Sequence, residues 1–176
     1  AVSAEKRRFA KKSGKRAVEM IKENLTVRKI LTREALLNGI SAVMAMGSST
    51  NTVLHLMSIA NEAGISLSLR DFDEVSKKVP YICNLKPSGK YPVQELHERG
   101  GLPVVLKAIE KQLCDGHMTV TGKTIKENIK DVKIVEDDLI YPIDKPKNRD
   151  GGIAVLYGSL APNGSEYVCK LLGLEG

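Results

Sequence analysis

Apolar positions recur at helical spacing through the first third of the chain and shift to strand-like alternation toward its end. Across Ser3 to about Asn24, and just beyond it, Ala10, Ala17, Val18, Ile21 and Leu25 fall on one side of a helix whose other side is basic. Thr32 is placed to cap a second helix, in which Leu36, Leu37, Ile40, Val43 and Met44 keep the helical period until Gly47 stops it. Gly47-Ser48-Ser49-Thr50-Asn51 then leads into a third helix ended by Gly64. There Val53, Leu54, Leu56, Met57, Ile59 and Ala60 are apolar on most sides, which predicts a helix buried deep in a larger body.

The alternation Ile65-Ser66-Leu67-Ser68-Leu69 predicts a short strand, and Asp71 with Glu74 forms a capping-box pattern for a short helix ended by Pro80. Asn84 to Lys90 reads as a loop. Pro103 suits the first turn of a helix reaching about Leu113, and Thr124 with Glu127 makes a second capping box. From Ile140 to Gly152 the composition shifts to Pro, Asp, Lys and Gly. Beyond it, Ile153 to Leu160 and Tyr167 to Leu172 read as strands around a Pro162-Asn163-Gly164 turn. The chain thus reads as an α/β body over 1–139, then a linker and the opening of a β-rich unit over 140–176. A lone hairpin is marginal in water, so the final strands call for further strands to pair with. The chain is expected to be an internal segment of a longer polypeptide.

The 176 residues are 42% hydrophobic and 27% charged, which sets bulk disorder aside. No apolar run approaches the roughly 18 residues of a membrane span, so no membrane partner is expected. Cys83, Cys114 and Cys169 are odd in number and widely spaced, which fits a reducing, cytoplasmic-type compartment and buried structural thiols. The net charge of +6 is local. Ala1 to Arg33 carries eleven Lys and Arg against three Glu, whereas the rest carries 16 basic and 18 acidic residues. Aromatic residues hardly interleave with these charges, so the basic segment reads as a solvated helix face and no nucleic-acid partner is expected.

Candidate chemistry is sparse. Gly122-Lys123-Thr124 resembles the tail of a phosphate-binding loop, but His117 stands where that pattern needs glycine. Neither the cysteine gaps nor His55, His97 and His117 match a local metal-ligand spacing. The strongest candidate is Ser48, Ser49, Thr50 and Asn51, where hydroxyls, an amide and backbone N–H groups at a helix start suit a carboxylate or phosphate. The loop carrying Lys86, Ser88 and Lys90 is a second, weaker one.

These two loops also carry a resemblance. Met44-Ala45-Met46-Gly47-Ser48-Ser49-Thr50-Asn51-Thr52 is joined by Asp71-Phe72-Asp73, Val79-Pro80, Leu85-Lys86-Pro87-Ser88-Gly89-Lys90-Tyr91 and Gly100-Gly101-Leu102-Pro103. Thr119 to Thr124, Gly151 to Leu156 and Gly158 to Gly164 follow in the same order. Together they resemble the dihydroxy-acid and phosphogluconate dehydratase family, from about Ala4 to Gly164. The Lys-Pro-Ser-Gly-Lys and Thr-Val-Thr-Gly-Lys-Thr stretches look more like the dihydroxy-acid branch, since sugar-acid dehydratases usually carry Asn where Thr121 stands. Ser48 departs from the family, which normally has glycine there, and the tail from Glu166 diverges.

The resemblance implies part of a lyase that converts 2,3-dihydroxy acids to 2-keto acids in valine and isoleucine synthesis. The isolated segment is expected to be inactive. It implies a catalytic α/β domain followed by a β-barrel-like domain, a homodimer, and location in the cytoplasm or an organelle matrix. It also implies an iron–sulfur cluster, magnesium and a serine base. The family places those ligands and that base in motifs absent from this chain, so no catalytic or metal-binding residue carries over. Ser48, Ser49, Thr50 and Asn51, and more weakly Lys86 and Ser88, are the implied substrate-binding positions. A sugar-acid or phosphogluconate dehydratase segment, or a non-catalytic carboxylate-binding remnant, are the competing readings.

Overall fold

The computed structural model describes residues 4–168. It is a mixed α/β structure, rich in helix and closed by a two-stranded antiparallel sheet. Helices α1 (Ala4–Lys22), α2 (Val27–Ile30), α3 (Arg33–Met46), α4 (Asn51–Glu62) and α5 (Leu69–Ser76) come first. Helices α6 (Val93–Glu98), α7 (Leu102–Ala108) and α8 (Ile125–Ile129) follow, and then strands β1 (Ile153–Gly158) and β2 (Ala161–Val168).

Helix α3 is the axis of the core. Thr32 caps it by accepting the Ala35 amide at 3.2 Å, and its apolar stripe puts Leu36, Ile40, Val43 and Met44 inside. It ends where Gly47 turns left-handed at φ 60°. Around Ile40 and Met44 gather Phe72 of α5, Val104 and Val105 of α7, Ile109, Leu139, Ile140 and Ile153, all buried.

The extended segment 81–85 runs between α3 and the stretch 139–148. The amides of Ile82 and Cys83 donate to the Ala45 carbonyl at 2.9 and 3.1 Å. On the other side Asn84 donates to Leu139, Tyr141 to Ile82, and Asn148 to Tyr81. This backbone is buried and needs partners for every donor. The helix end and the returning chain supply them.

Several sequence expectations shift. Ile65 to Leu69 is not a strand: Leu69 already opens α5, and residues 65–68 are coil. The alternation is real, with Ile65 and Leu67 half-buried and Ser66 and Ser68 exposed, but no partner strand lies alongside among the described residues. The capping box of α5 pairs Ser68 with Asp71, whose carboxylate accepts the Ser68 amide at 2.7 Å and its hydroxyl at 3.0 Å. The box therefore sits three residues before the expected one.

Helix α7 stops at Ala108, and a 3-10 turn over Glu110–Gln112 takes the place of its last stretch. The terminal hairpin reverses at Ser159-Leu160, so Pro162-Asn163-Gly164 lies inside β2. A proline without an amide donor is tolerated on such an edge strand. Of the second expected strand, residues 169–172 lie outside the described ones.

Helix α4 buries Val53 and Ala60 only, leaving Leu54 and Ile59 exposed, because it packs on α3 along one side. The expectation of a deeply buried helix is corrected to one with a single covered face. Helix α1 buries nothing, and Val18 and Ile21 are exposed as well as its basic side. Its side chains reach the rest of the fold through Arg16, which donates to the Val120 carbonyl at 2.6 Å, and Glu5, whose carboxylate lies 3.4 Å from a His97 ring nitrogen. No described helix is long and apolar enough to cross a membrane.

Candidate functional site

The two loops singled out in the sequence meet beneath the end of α3. Gly47 is the hinge of the first: a Cβ there would stand 2.4 Å from the Tyr81 ring, so only glycine lets the tyrosine lie against the turn. Gly152 closes the same place from the other side. A Cβ on it would come 2.3 Å from the Gly47 Cα, and its amide donates to the Met44 carbonyl at 2.8 Å.

Ser88 belongs to this cluster. It is buried, its hydroxyl lies 2.7 Å from the Tyr81 hydroxyl, and it donates to the Gly47 carbonyl at 3.4 Å. Lys147 completes it from the returning chain. Its ammonium donates to the Ser88 carbonyl and the Asn84 carboxamide oxygen, each at 3.1 Å, and stands 5.0 Å from the centre of the Tyr81 ring. Ser88 thus faces the turn and not solvent, while Lys86 on the same loop is exposed; its amide closes the loop onto the Tyr91 carbonyl at 2.8 Å.

Ser48, Ser49 and Thr50 are half-buried and Asn51 is exposed at the first turn of α4. The backbone there differs from expectation. The Asn51 amide donates to the Ser49 hydroxyl at 3.3 Å, and the Thr52 and Val53 amides donate to the Ser49 and Thr50 carbonyls. Thr50 already has helical angles and makes no side-chain cap, so the chain winds into α4 tightly and uses these amides internally. What the turn offers a ligand is the Asn51 carboxamide, the neighbouring hydroxyls and the helix dipole, with fewer free amides than expected.

The metal chemistry tests negative on these residues. Cys83 is buried, and desolvation pushes its thiol up to about 12, the reverse of a thiolate ligand. Cys114 is half-buried in a different setting, its backbone clasped at both ends by the Asn38 carboxamide. No group of three or more His, Cys, Asp or Glu side chains gathers as a metal site among the described residues. They do not fit an iron–sulfur cluster or a magnesium ion. Cys169 lies outside the described residues.

The model of the dihydroxy-acid/6-phosphogluconate dehydratase N-terminal family matches residues 1–128. The chain belongs to this family. Among similar proteins, a dihydroxy-acid dehydratase of Ignicoccus hospitalis is 48% identical over 167 residues, which is 94% of this chain and 30% of that protein. The dihydroxy-acid dehydratase of Caldanaerobacter subterraneus is 46% identical over the same shares. That of Thermodesulfovibrio yellowstonii is 44% identical over 100% of this chain and 33% of its own length. The chain therefore spans about a third of the length of these family members.

The sequence singled out Ser48 to Asn51, Lys86 and Ser88, and passed over Tyr81, Asn84 and Lys147, which the fold brings beside Ser88. Tyr81 carried a weak signal as a large aromatic directly after Pro80. Lys147 carried none: it lies in a Pro- and Lys-rich stretch 59 residues beyond Ser88, and only folding brings them together.

Proposed function

We propose that the chain forms a substrate-binding wall of a dihydroxy-acid dehydratase, a hydro-lyase that takes a 2,3-dihydroxy acid to a 2-keto acid in branched-chain amino-acid synthesis. The observation that carries this reading is 44–48% identity, over nearly the whole chain, to proteins of that name. The Asn51 carboxamide and the Ser48, Ser49 and Thr50 hydroxyls at the α4 start bind and orient the substrate carboxylate, aided by the helix dipole. Tyr81, Ser88 and Gly152 hold that turn from behind.

Leaving-group activation and removal of the C2 proton belong to groups other than the described residues. An iron–sulfur cluster, magnesium, a homodimeric assembly and a cytoplasmic or organelle-matrix setting are part of the proposal through the family. The test is anaerobic purification of the native protein and measurement of 2-keto acid released from a branched 2,3-dihydroxy acid and from 6-phosphogluconate. Preferred turnover of the dihydroxy acid is expected. Preference for phosphogluconate would move the protein to the other branch, and carboxylate binding without turnover would make it a binding module.

A further inference from the structure

Lys147 lies in no motif of the family resemblance, and its hydrogen bonds have a fixed direction. An ammonium only donates. Its acceptors are the Ser88 carbonyl, the Asn84 carboxamide oxygen and, at 3.5 Å, the Tyr81 hydroxyl. A tyrosine hydroxyl that accepts there still carries a proton to donate, and the Ser88 hydroxyl lies 2.7 Å away. The Ser88 hydroxyl in turn donates to the Gly47 carbonyl at 3.4 Å. The polarity therefore runs one way, from Lys147 through two buried hydroxyls to the peptide that precedes Ser48.

We infer that Lys147 is a positioning residue for the substrate-binding turn, acting through Tyr81 and Ser88 on Gly47. The inference rests on the reading of Ser48 to Asn51 as a carboxylate-binding wall. Three features support it. The ammonium, on the returning chain, ties together the extended segment carrying Tyr81 and the loop carrying Ser88. It also lies over the Tyr81 ring, the same ring that abuts Gly47. Finally, Tyr81 and Ser88 are both buried, so the bonds between them are not exchanged for water at little cost.

The test is a double-mutant cycle in the native full-length protein with Lys147→Met, Ser88→Ala and the pair, with thermal midpoints measured alongside. Each single variant should raise KM for the dihydroxy acid about fivefold, with a smaller change in kcat. The double variant should be no worse than the weaker single one, because both break the same chain. Lys147→Arg, which keeps the charge, should recover part of the loss. Amide exchange at Gly47 to Asn51 reads the same cycle without turnover and should quicken in each variant. If the wild type shows no dehydratase activity, the functional reading fails while exchange still decides the coupling. Independent effects of the two substitutions on exchange, or an unchanged KM with a lowered thermal midpoint, would overturn the inference.

Discussion

The region around Gly47 and the outer helices α1 and α4 are held in different ways. Around Gly47, three stretches distant in sequence interlock through backbone hydrogen bonds and glycine contacts with no room for a methyl group. Helix α1 buries no residue and meets the rest of the fold through polar contacts of Arg16 and Glu5, and α4 covers one side only. The difference teaches that amphipathic periodicity states which side of a helix could be covered, not whether anything covers it. Positional precision resides instead where the chain has to satisfy buried backbone groups.

The comparison breaks most sharply at Gly152. Gly152→Ala forces a methyl group against the Gly47 backbone and should cost about 3 kcal/mol, read as a shift in urea midpoint. A loss below about 1 kcal/mol would show that the three stretches can slide apart. Next in size, Tyr81→Phe removes the hydroxyl between Lys147 and Ser88 and should cost about 1–2 kcal/mol, measured the same way.

A pH series sharpens the same contrast at α5. Burial acts to raise the Asp71 carboxyl, but the Ser68 amide, the Arg33 guanidinium and the Ser68 hydroxyl outweigh it and hold it below its ordinary value. Its stabilisation is therefore complete above the unfolded pKa of about 3.9 and is lost as pH falls below that. Wild type should lose stability across this acid range more steeply than Asp71→Asn, in denaturation at pH 7, 4 and 3. The smallest effect belongs to α1: Lys11→Glu with Lys15→Glu should change stability by less than about 0.5 kcal/mol. A larger change in denaturant midpoint would mean that the exposed face is not passive.

Much of the local architecture was legible. Thr32, Gly47 and the Thr124–Glu127 box mark helix ends because capping is written in a few adjacent residues. The period of Ile65, Leu67 and Leu69 was also correct, yet a strand requires a partner that no local pattern specifies. The hairpin turn was misplaced because Pro-Asn-Gly is a strong turn signal, while pairing of Gly158 with Ala161 places the reversal at Ser159-Leu160. At the site, hydroxyl and amide residues next to a helix start could be read directly. The place of Lys147 beside Ser88 could not, since it depends on a contact between residues 59 positions apart.

The central claim, that the start of α4 holds a substrate carboxylate, is tested most directly by Asn51→Leu in the native full-length protein. Asn51 is exposed, so the substitution removes a carboxamide without disturbing the core. The account predicts a KM for the dihydroxy acid raised about tenfold, with an unchanged thermal midpoint. Wild-type KM and kcat in that variant would contradict it and leave Asn51 as the first residue of a helix and nothing more.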